Sequence, residues 1–159
     1  MVLTTQKRVT LQGRMVTKRQ LAFDAIHAEQ ELIGEYVGSQ DQVAASFGGL
    51  NKIEFGRRKD GLFVQSIILD DGKLAYLQDC MLFYFTEFSR YSSEIAKEQI
   101  SKTPEKIKEL QIMHQMVDES LAILGGRNEQ LNEFGKLLHE SWKLKRSLAT
   151  NISNDYRDV

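Results

Sequence analysis

The chain of 159 residues has a formal net charge of -1, with 42% hydrophobic and 27% charged residues, which is typical of a globular protein. This near-neutral balance gives no overall field for nucleic acid, and no apolar run is long enough to span a bilayer. The sequence therefore predicts neither a nucleic-acid nor a membrane partner. Cys80 is the single cysteine, which excludes an intrachain disulfide and fits a cytoplasmic location.

The length and patterning predict a single domain over residues 1–159. The chain has one proline, no internal repeat and no low-complexity linker, so nothing in it marks a boundary. Strand candidates occupy the middle of the chain and helical patterns lie on both sides. We therefore expect an α+β fold, with a small, mostly antiparallel sheet and helices packed on it.

The first predicted helix spans residues 17–32 and begins with a capping box, Thr17-Lys18-Arg19-Gln20. Glu29 should lie on its buried face, where a carboxylate needs a cation or hydrogen-bond donors. One interpretation makes Glu29 a magnesium ligand or the partner of a catalytic cation. The other makes it a structural salt bridge or a side chain that reaches past the apolar stripe. Its neighbours three and four positions away are all apolar: Ala25, Ile26, Leu32 and Ile33.

A glycine-flanked loop, residues 34–40, separates this helix from a short one that ends at Phe47. Ser39-Gln40-Asp41-Gln42 fits a second capping box, and an Asp in a first helical turn is stabilised by the helix dipole. That role alone would explain Asp41. The other interpretation is a carboxylate that holds a substrate hydroxyl in line with a γ-phosphate.

Strand candidates follow at residues 50–55 and 62–69, with Asp70-Asp71-Gly72 as a turn after them. The apolar run at residues 80–86 predicts a buried strand. Further helices are predicted from residue 92 to about 100, from 103 to 124, and from 128 to about 148. The apolar stripe of the last helix comprises Leu131, Phe134, Leu138 and Trp142.

Residues 28–49 resemble the catalytic-loop region of the GHMP kinases, the superfamily of galactokinase, homoserine kinase, mevalonate kinase and phosphomevalonate kinase. Glu29, Gly34 and Gly38-Ser39-Gln40-Asp41-Gln42 keep the order and spacing of the family's Glu, Gly and Gly-x-x-Asp-Gln. The chain looks most similar to the branch of D-glycero-D-manno-heptose 7-phosphate kinases. The segments that carry this further resemblance are residues 48–55, 88–93, 138–142, 145–148 and 152–154.

The resemblance implies an ATP-dependent kinase that uses magnesium and phosphorylates a sugar phosphate. It makes Asp41 the catalytic residue and Glu29 the magnesium ligand. Lys145 and Arg146, near the end of the last helix, complement the helix dipole in one interpretation. In the other, they bind the phosphate of the anionic sugar substrate.

Two motifs of the family have no counterpart in the sequence. Gly13 is the one glycine before Thr17, so no Gly/Ser-rich loop cradles the ATP phosphates, and a glycine-rich motif near the C-terminus is also missing. Glu87 stands where relatives often have a small residue. We therefore expect a kinase fragment, inactive alone and complemented by an N-terminal kinase half. The alternative is a non-catalytic helical interaction or oligomerisation module, or one half of a split kinase.

Overall fold

The computed structural model describes residues 15–56, 61–83, 92–127, 131–149 and 152. The chain divides into two compact units, Met1–Ile68 and Leu69–Val159. The described residues combine helices with an antiparallel two-stranded sheet, which confirms the predicted α+β class. The single domain over residues 1–159 stays a prediction.

The first unit packs two helices against a β-hairpin. Its core contains Ala22, Val43 and Leu62, all buried, one from each helix and one from the second strand. Packing against the two helices stabilises the hairpin, since an isolated two-stranded sheet is only marginally stable in water. The elements are α1 (Lys18–His27), a π-helix (Ala28–Ile33), α2 (Gln40–Phe47), β1 (Asn51–Phe55) and β2 (Leu62–Ser66), with β1 and β2 antiparallel.

The two predicted capping boxes have different outcomes. Thr17 caps α1, because its Oγ1 accepts a hydrogen bond of 3.1 Å from the Gln20 amide. Gln20 does not complete the box, since its side chain donates to Asp24 Oδ1 instead. The second box is wrong: Ser39 makes no side-chain cap bond, and its φ of -94° and ψ of -3° differ from the extended conformation of a capping residue.

This difference predicts unequal effects of two alanine substitutions. Thr17→Ala should lower the free energy of unfolding by about 1 kcal/mol, because it leaves an amide of the first turn unpaired. Ser39→Ala removes only an acceptor at 3.2 Å from the Gln30 side chain, so it should lower this free energy by about 0.5 kcal/mol. Urea denaturation measures both. A larger loss for Ser39→Ala would contradict the assignment of the caps.

The second unit is helical throughout its described part. Its buried cluster consists of Leu148, Ala149 and Ile152, against which the half-buried Leu110 and Met113 pack. The predicted helices in this region are confirmed, and residues 128–130, where the last one was predicted to begin, lie outside the described part. The elements are α3 (Asp71–Asp79), α4 (Ser92–Lys102), a 3₁₀ turn (Thr103–Glu105), α5 (Ile107–Gly125) and α6 (Leu131–Leu148).

Three predictions in this unit need correction. The residues predicted to form a turn at Asp70 instead begin α3, where Asp70 Oδ1 accepts a hydrogen bond from the Lys73 amide at 2.8 Å. The prediction failed because the same residue types favour both turns and helix caps. The predicted buried strand is wrong over residues 80–83, where the chain leaves α3 and Phe83 is 96% exposed; residues 84–86 lie outside the described part. On α6, Leu138 and Trp142 are exposed, and the half-buried Ser141 takes an inward position.

A buried lysine, Lys73, binds the carbonyl groups at the C-terminal end of α5. The Lys73 side chain is only 4% exposed, and its Nζ donates to the carbonyl oxygens of Leu124 at 2.8 Å and Gly126 at 2.5 Å. The last carbonyls of a helix lack partners within the helix and carry partial negative charge. Lys73 therefore ties α3 to the C-terminal end of α5. No described helix is long and apolar enough to cross a membrane.

Candidate functional site

Glu29 lies in a π-helix rather than in a continuation of α1. The π-helix ends at Gly34, whose φ of 77° lies in the left-handed region that favours glycine. The amide of Glu35 then donates to the Glu29 carbonyl at 3.0 Å. Helical segments of this type are rare and often occur at functional sites. The sequence predicts the helix and its termination at a glycine. The structure adds that the last six residues of the helix have π-helical hydrogen bonding.

Gln30 holds the loop that follows the π-helix. Its Nε2 donates to the Val37 carbonyl at 2.8 Å and to Ser39 Oγ at 3.2 Å. Both acceptors lie just before Asp41. The loop over residues 34–39 is thus fixed at its beginning by the Glu29 carbonyl and at its end by the Gln30 side chain. Sequence reasoning missed Gln30, because nothing in its spacing separates it from a solvent-exposed glutamine.

The Glu29 carboxylate has a neutral hydrogen-bond donor as its partner. It is half-buried, and its Oε2 accepts a hydrogen bond from Gln42 Nε2. Gln42 is 5% exposed and belongs to the first turn of α2. Its own Oε1 is buried without a hydrogen-bond partner among the described residues. One oxygen of the carboxylate is therefore engaged by an uncharged donor.

Asp41 lies in the first turn of α2 and its side chain is exposed. The residues on both sides of it are tied to the π-helix, through Gln30 to Ser39 and through Glu29 to Gln42. The structure thus brings the π-helix that carries Glu29 next to the helix turn that carries Asp41. Asp41 is thus an exposed carboxylate on a backbone segment that is held by contacts on both sides.

The donor set around Glu29 fits a magnesium ion that is also held by phosphates. Magnesium prefers oxygen ligands and is often bound by one or two carboxylates together with substrate phosphates and water. Glu29 supplies one such carboxylate. Within the described part of the chain, no group of three or more His, Cys, Asp or Glu side chains could hold a metal ion.

Lys145 and Arg146 lie in the last turn of α6, in the second unit, and both are exposed. The nearby Lys143 pairs with Glu140 at 2.8 Å. That hydrogen bond holds the pKa of Glu140 below its usual range. Lys143 is thus engaged in a local ion pair, and the phosphate-binding role of Lys145 and Arg146 stays a prediction.

A cavity of about 610 Å³ opens in the first unit, beside the loop before Asp41. Ser39 and Gln40 line it, whereas Glu29 and Asp41 do not. Its apolar wall comes from α1 and the hairpin, and its polar wall comes mainly from the π-helix and the loop. The apolar residues are Phe23, Ile26, Phe55 and Leu62, and the polar ones include His27, Gln30 and Glu31.

Comparison with known proteins finds a similarity to a sugar-phosphate kinase. The relative is the D-glycero-alpha-D-manno-heptose 7-phosphate kinase of Campylobacter jejuni, which is 27% identical over 132 residues. The match covers 82% of this chain and 38% of the relative, so the chain spans well under half of the relative's length. No family model and no solved structure matches the chain. The similarity agrees with the resemblance carried by the Glu29 to Gln42 segment.

Glu29→Gln should change the stability of the protein very little. The new amide can still accept from Gln42 Nε2 through its oxygen, and no described residue forms an ion pair with Glu29 that the change would break. We expect the free energy of unfolding to stay within about 0.5 kcal/mol of the original value or to rise. Chemical denaturation measures this. A loss of about 1–3 kcal/mol would indicate a structural ion pair.

Proposed function

We propose that the chain is the catalytic segment of an ATP-dependent kinase that phosphorylates a sugar phosphate, namely a heptose 7-phosphate. The observation that carries the proposal is the hydrogen bond between Gln42 and Glu29. It joins the element with the predicted magnesium ligand to the helix that begins beside Asp41. The similarity to the heptose 7-phosphate kinase of Campylobacter jejuni supports the substrate class.

Asp41 would orient the attacking sugar hydroxyl and accept its proton. Phosphoryl transfer depends mainly on positioning and on stabilising charge, so an exposed carboxylate on a rigid turn suits this role. Glu29 would hold the magnesium ion, which neutralises charge on the ATP phosphates when bound. Lys145 or Arg146 would bind the phosphate that the sugar already carries. These roles would place the chain in carbohydrate metabolism, and the single cysteine fits a cytoplasmic location.

The ATP phosphates would be held by a glycine-rich loop of another polypeptide segment. Such loops bind phosphate through backbone amides at a helix N-terminus, and the sequence before Thr17 has one glycine. We propose an N-terminal kinase half as the complementing partner. The partner would supply the nucleotide site, and this chain would supply Asp41 and Glu29.

This proposal predicts that the chain alone binds magnesium-ATP weakly, with a dissociation constant well above the micromolar range. Isothermal titration calorimetry measures it. Adding the N-terminal part of the Campylobacter jejuni kinase should tighten binding, because it contributes phosphate-binding amides. A micromolar or lower dissociation constant for the chain alone would show that it has a phosphate site of its own, and the proposed division of roles would be wrong.

A second candidate is a non-catalytic interaction module. It is favoured by Leu138 and Trp142, which are one turn apart on α6 and are 56% and 37% exposed. Apolar side chains that share an exposed face often mark a protein contact. Titrating the N-terminal part of the kinase with and without this chain separates the candidates, because an interaction module would not tighten the binding of magnesium-ATP beyond that of the N-terminal part alone.

A further inference from the structure

Gln42 combines deep burial with an unpaired polar atom. Its side chain is 5% exposed, and its Oε1 has no hydrogen-bond partner among the described residues. A buried carbonyl without a partner destabilises a fold, and a methionine of similar volume would avoid that loss. Packing alone therefore does not account for a glutamine here. The feature that a methionine would lack is the Nε2 donor, which binds Glu29.

We propose that Gln42 is a positioning residue for the cation at Glu29, an inference that rests on the proposed function. Donation to one carboxylate oxygen fixes the orientation of the group and leaves the second oxygen for a metal ion. Partners that orient metal ligands in this way typically change metal affinity by about 10–100-fold when removed. Gln42 thus acts through Glu29 and does not itself touch the cation.

The chemistry of the donor suits this role. A lysine at this position would neutralise Glu29 and compete with the cation, and a carboxylate would repel Glu29 in the absence of a cation. A neutral amide orients the group and leaves its negative charge intact. The backbone that carries this amide is fixed, because Ser46 Oγ donates to the main-chain carbonyl of Gln42 at 2.7 Å and the neighbouring Val43 is fully buried.

The test is a Mn²⁺ titration of the full chain in the presence of ATP and the N-terminal part of the Campylobacter jejuni kinase, with Mn²⁺ as a paramagnetic probe of the magnesium site. In the unchanged protein, NMR signals of residues around Glu29 should broaden as Mn²⁺ is added. Gln42→Met should require about 10–100-fold more Mn²⁺ for the same broadening. Its thermal midpoint should fall only slightly, because the lost hydrogen bond to Glu29 is offset by removal of the unpaired carbonyl. A purely structural glutamine would lower the midpoint without changing the Mn²⁺ dependence.

Gln40→Met is the matched control, because Gln40 also begins α2 but is exposed and has no bond to Glu29. It should leave the broadening at Glu29 unchanged. Equal Mn²⁺ dependence for Gln42→Met and Gln40→Met would overturn the inference and leave the proposed function standing. If the unchanged protein shows no broadening near Glu29, the magnesium assignment and the inference are both overturned.

Gln42→Glu provides a second readout that does not depend on how Gln42→Met folds. It keeps the shape of the side chain but places a second carboxylate beside Glu29. We expect its thermal midpoint to fall without metal and to recover with Mn²⁺, since two adjacent carboxylates bind a divalent cation. Failure of Mn²⁺ to raise the midpoint would show that no cation reaches the Glu29 carboxylate and would overturn the inference.

Discussion

Asp41→Asn should reduce turnover by about 10²–10⁴-fold in the chain joined to the N-terminal part of the Campylobacter jejuni kinase. The substitution keeps the shape of the side chain and removes the charge and the proton acceptor. Because Asp41 is exposed at the start of α2, the fold should lose only the helix-dipole contribution, about 0.5 kcal/mol. Turnover is measured by coupling ADP release to oxidation of NADH.

The matched control for this substitution is Asp71→Asn. Asp71 is also an exposed Asp in a first helical turn, that of α3, so the change alters charge and helix dipole in the same way. Turnover should be unaffected. If Asp41→Asn retained most of the activity in a protein that folds normally, Asp41 would be only a first-turn carboxylate and the catalytic assignment would be wrong.

Lys73→Met should lower the free energy of unfolding of the second unit by about 3 kcal/mol. The change removes two hydrogen bonds from a charged donor, each worth about 1.5–3 kcal/mol, and part of that loss is offset because a buried charge is also removed. The carbonyls of Leu124 and Gly126 lose this donor. Trp142, the single tryptophan, lies in α6 and reports unfolding by fluorescence.

Lys143→Met separates this effect from a general effect of losing a lysine. Lys143 pairs with Glu140, but both side chains are more than half exposed. Exposed pairs contribute about 0–1 kcal/mol, because water and salt screen them. The loss for Lys143→Met should therefore be under about 1 kcal/mol. Equal losses for the two variants would show that Lys73 does not hold the end of α5.

Features that depend on local sequence could be predicted. The helix that starts at Thr17, the glycine end at Gly34 and the hairpin strands follow from capping residues, glycine conformation and apolar patterning. The candidate Glu29 followed from its apolar neighbours. In each case the determining residues lie within a few positions of one another, so the pattern is visible in a short window.

Features that depend on contacts distant in sequence could not be predicted. Gln42 lies 13 positions from Glu29, and Lys73 lies 51 and 53 positions from its two acceptors. Neither residue type nor spacing singles out these side chains. The misassigned stripe on α6 has a similar cause, because an inward position is occupied by the polar Ser141. The roles of Glu29, Asp41, Lys145 and Arg146 stay predictions.

Phosphoryl transfer to a sugar phosphate through Asp41 can be followed by ³¹P NMR. The sample contains magnesium-ATP, heptose 7-phosphate and the chain joined to the N-terminal part of the Campylobacter jejuni kinase. We predict signals of ADP and of a newly phosphorylated sugar that grow in equal amounts, and that are much slower to appear with Asp41→Asn. If the joined protein folds and binds ATP but no new sugar-phosphate signal appears, the account is contradicted.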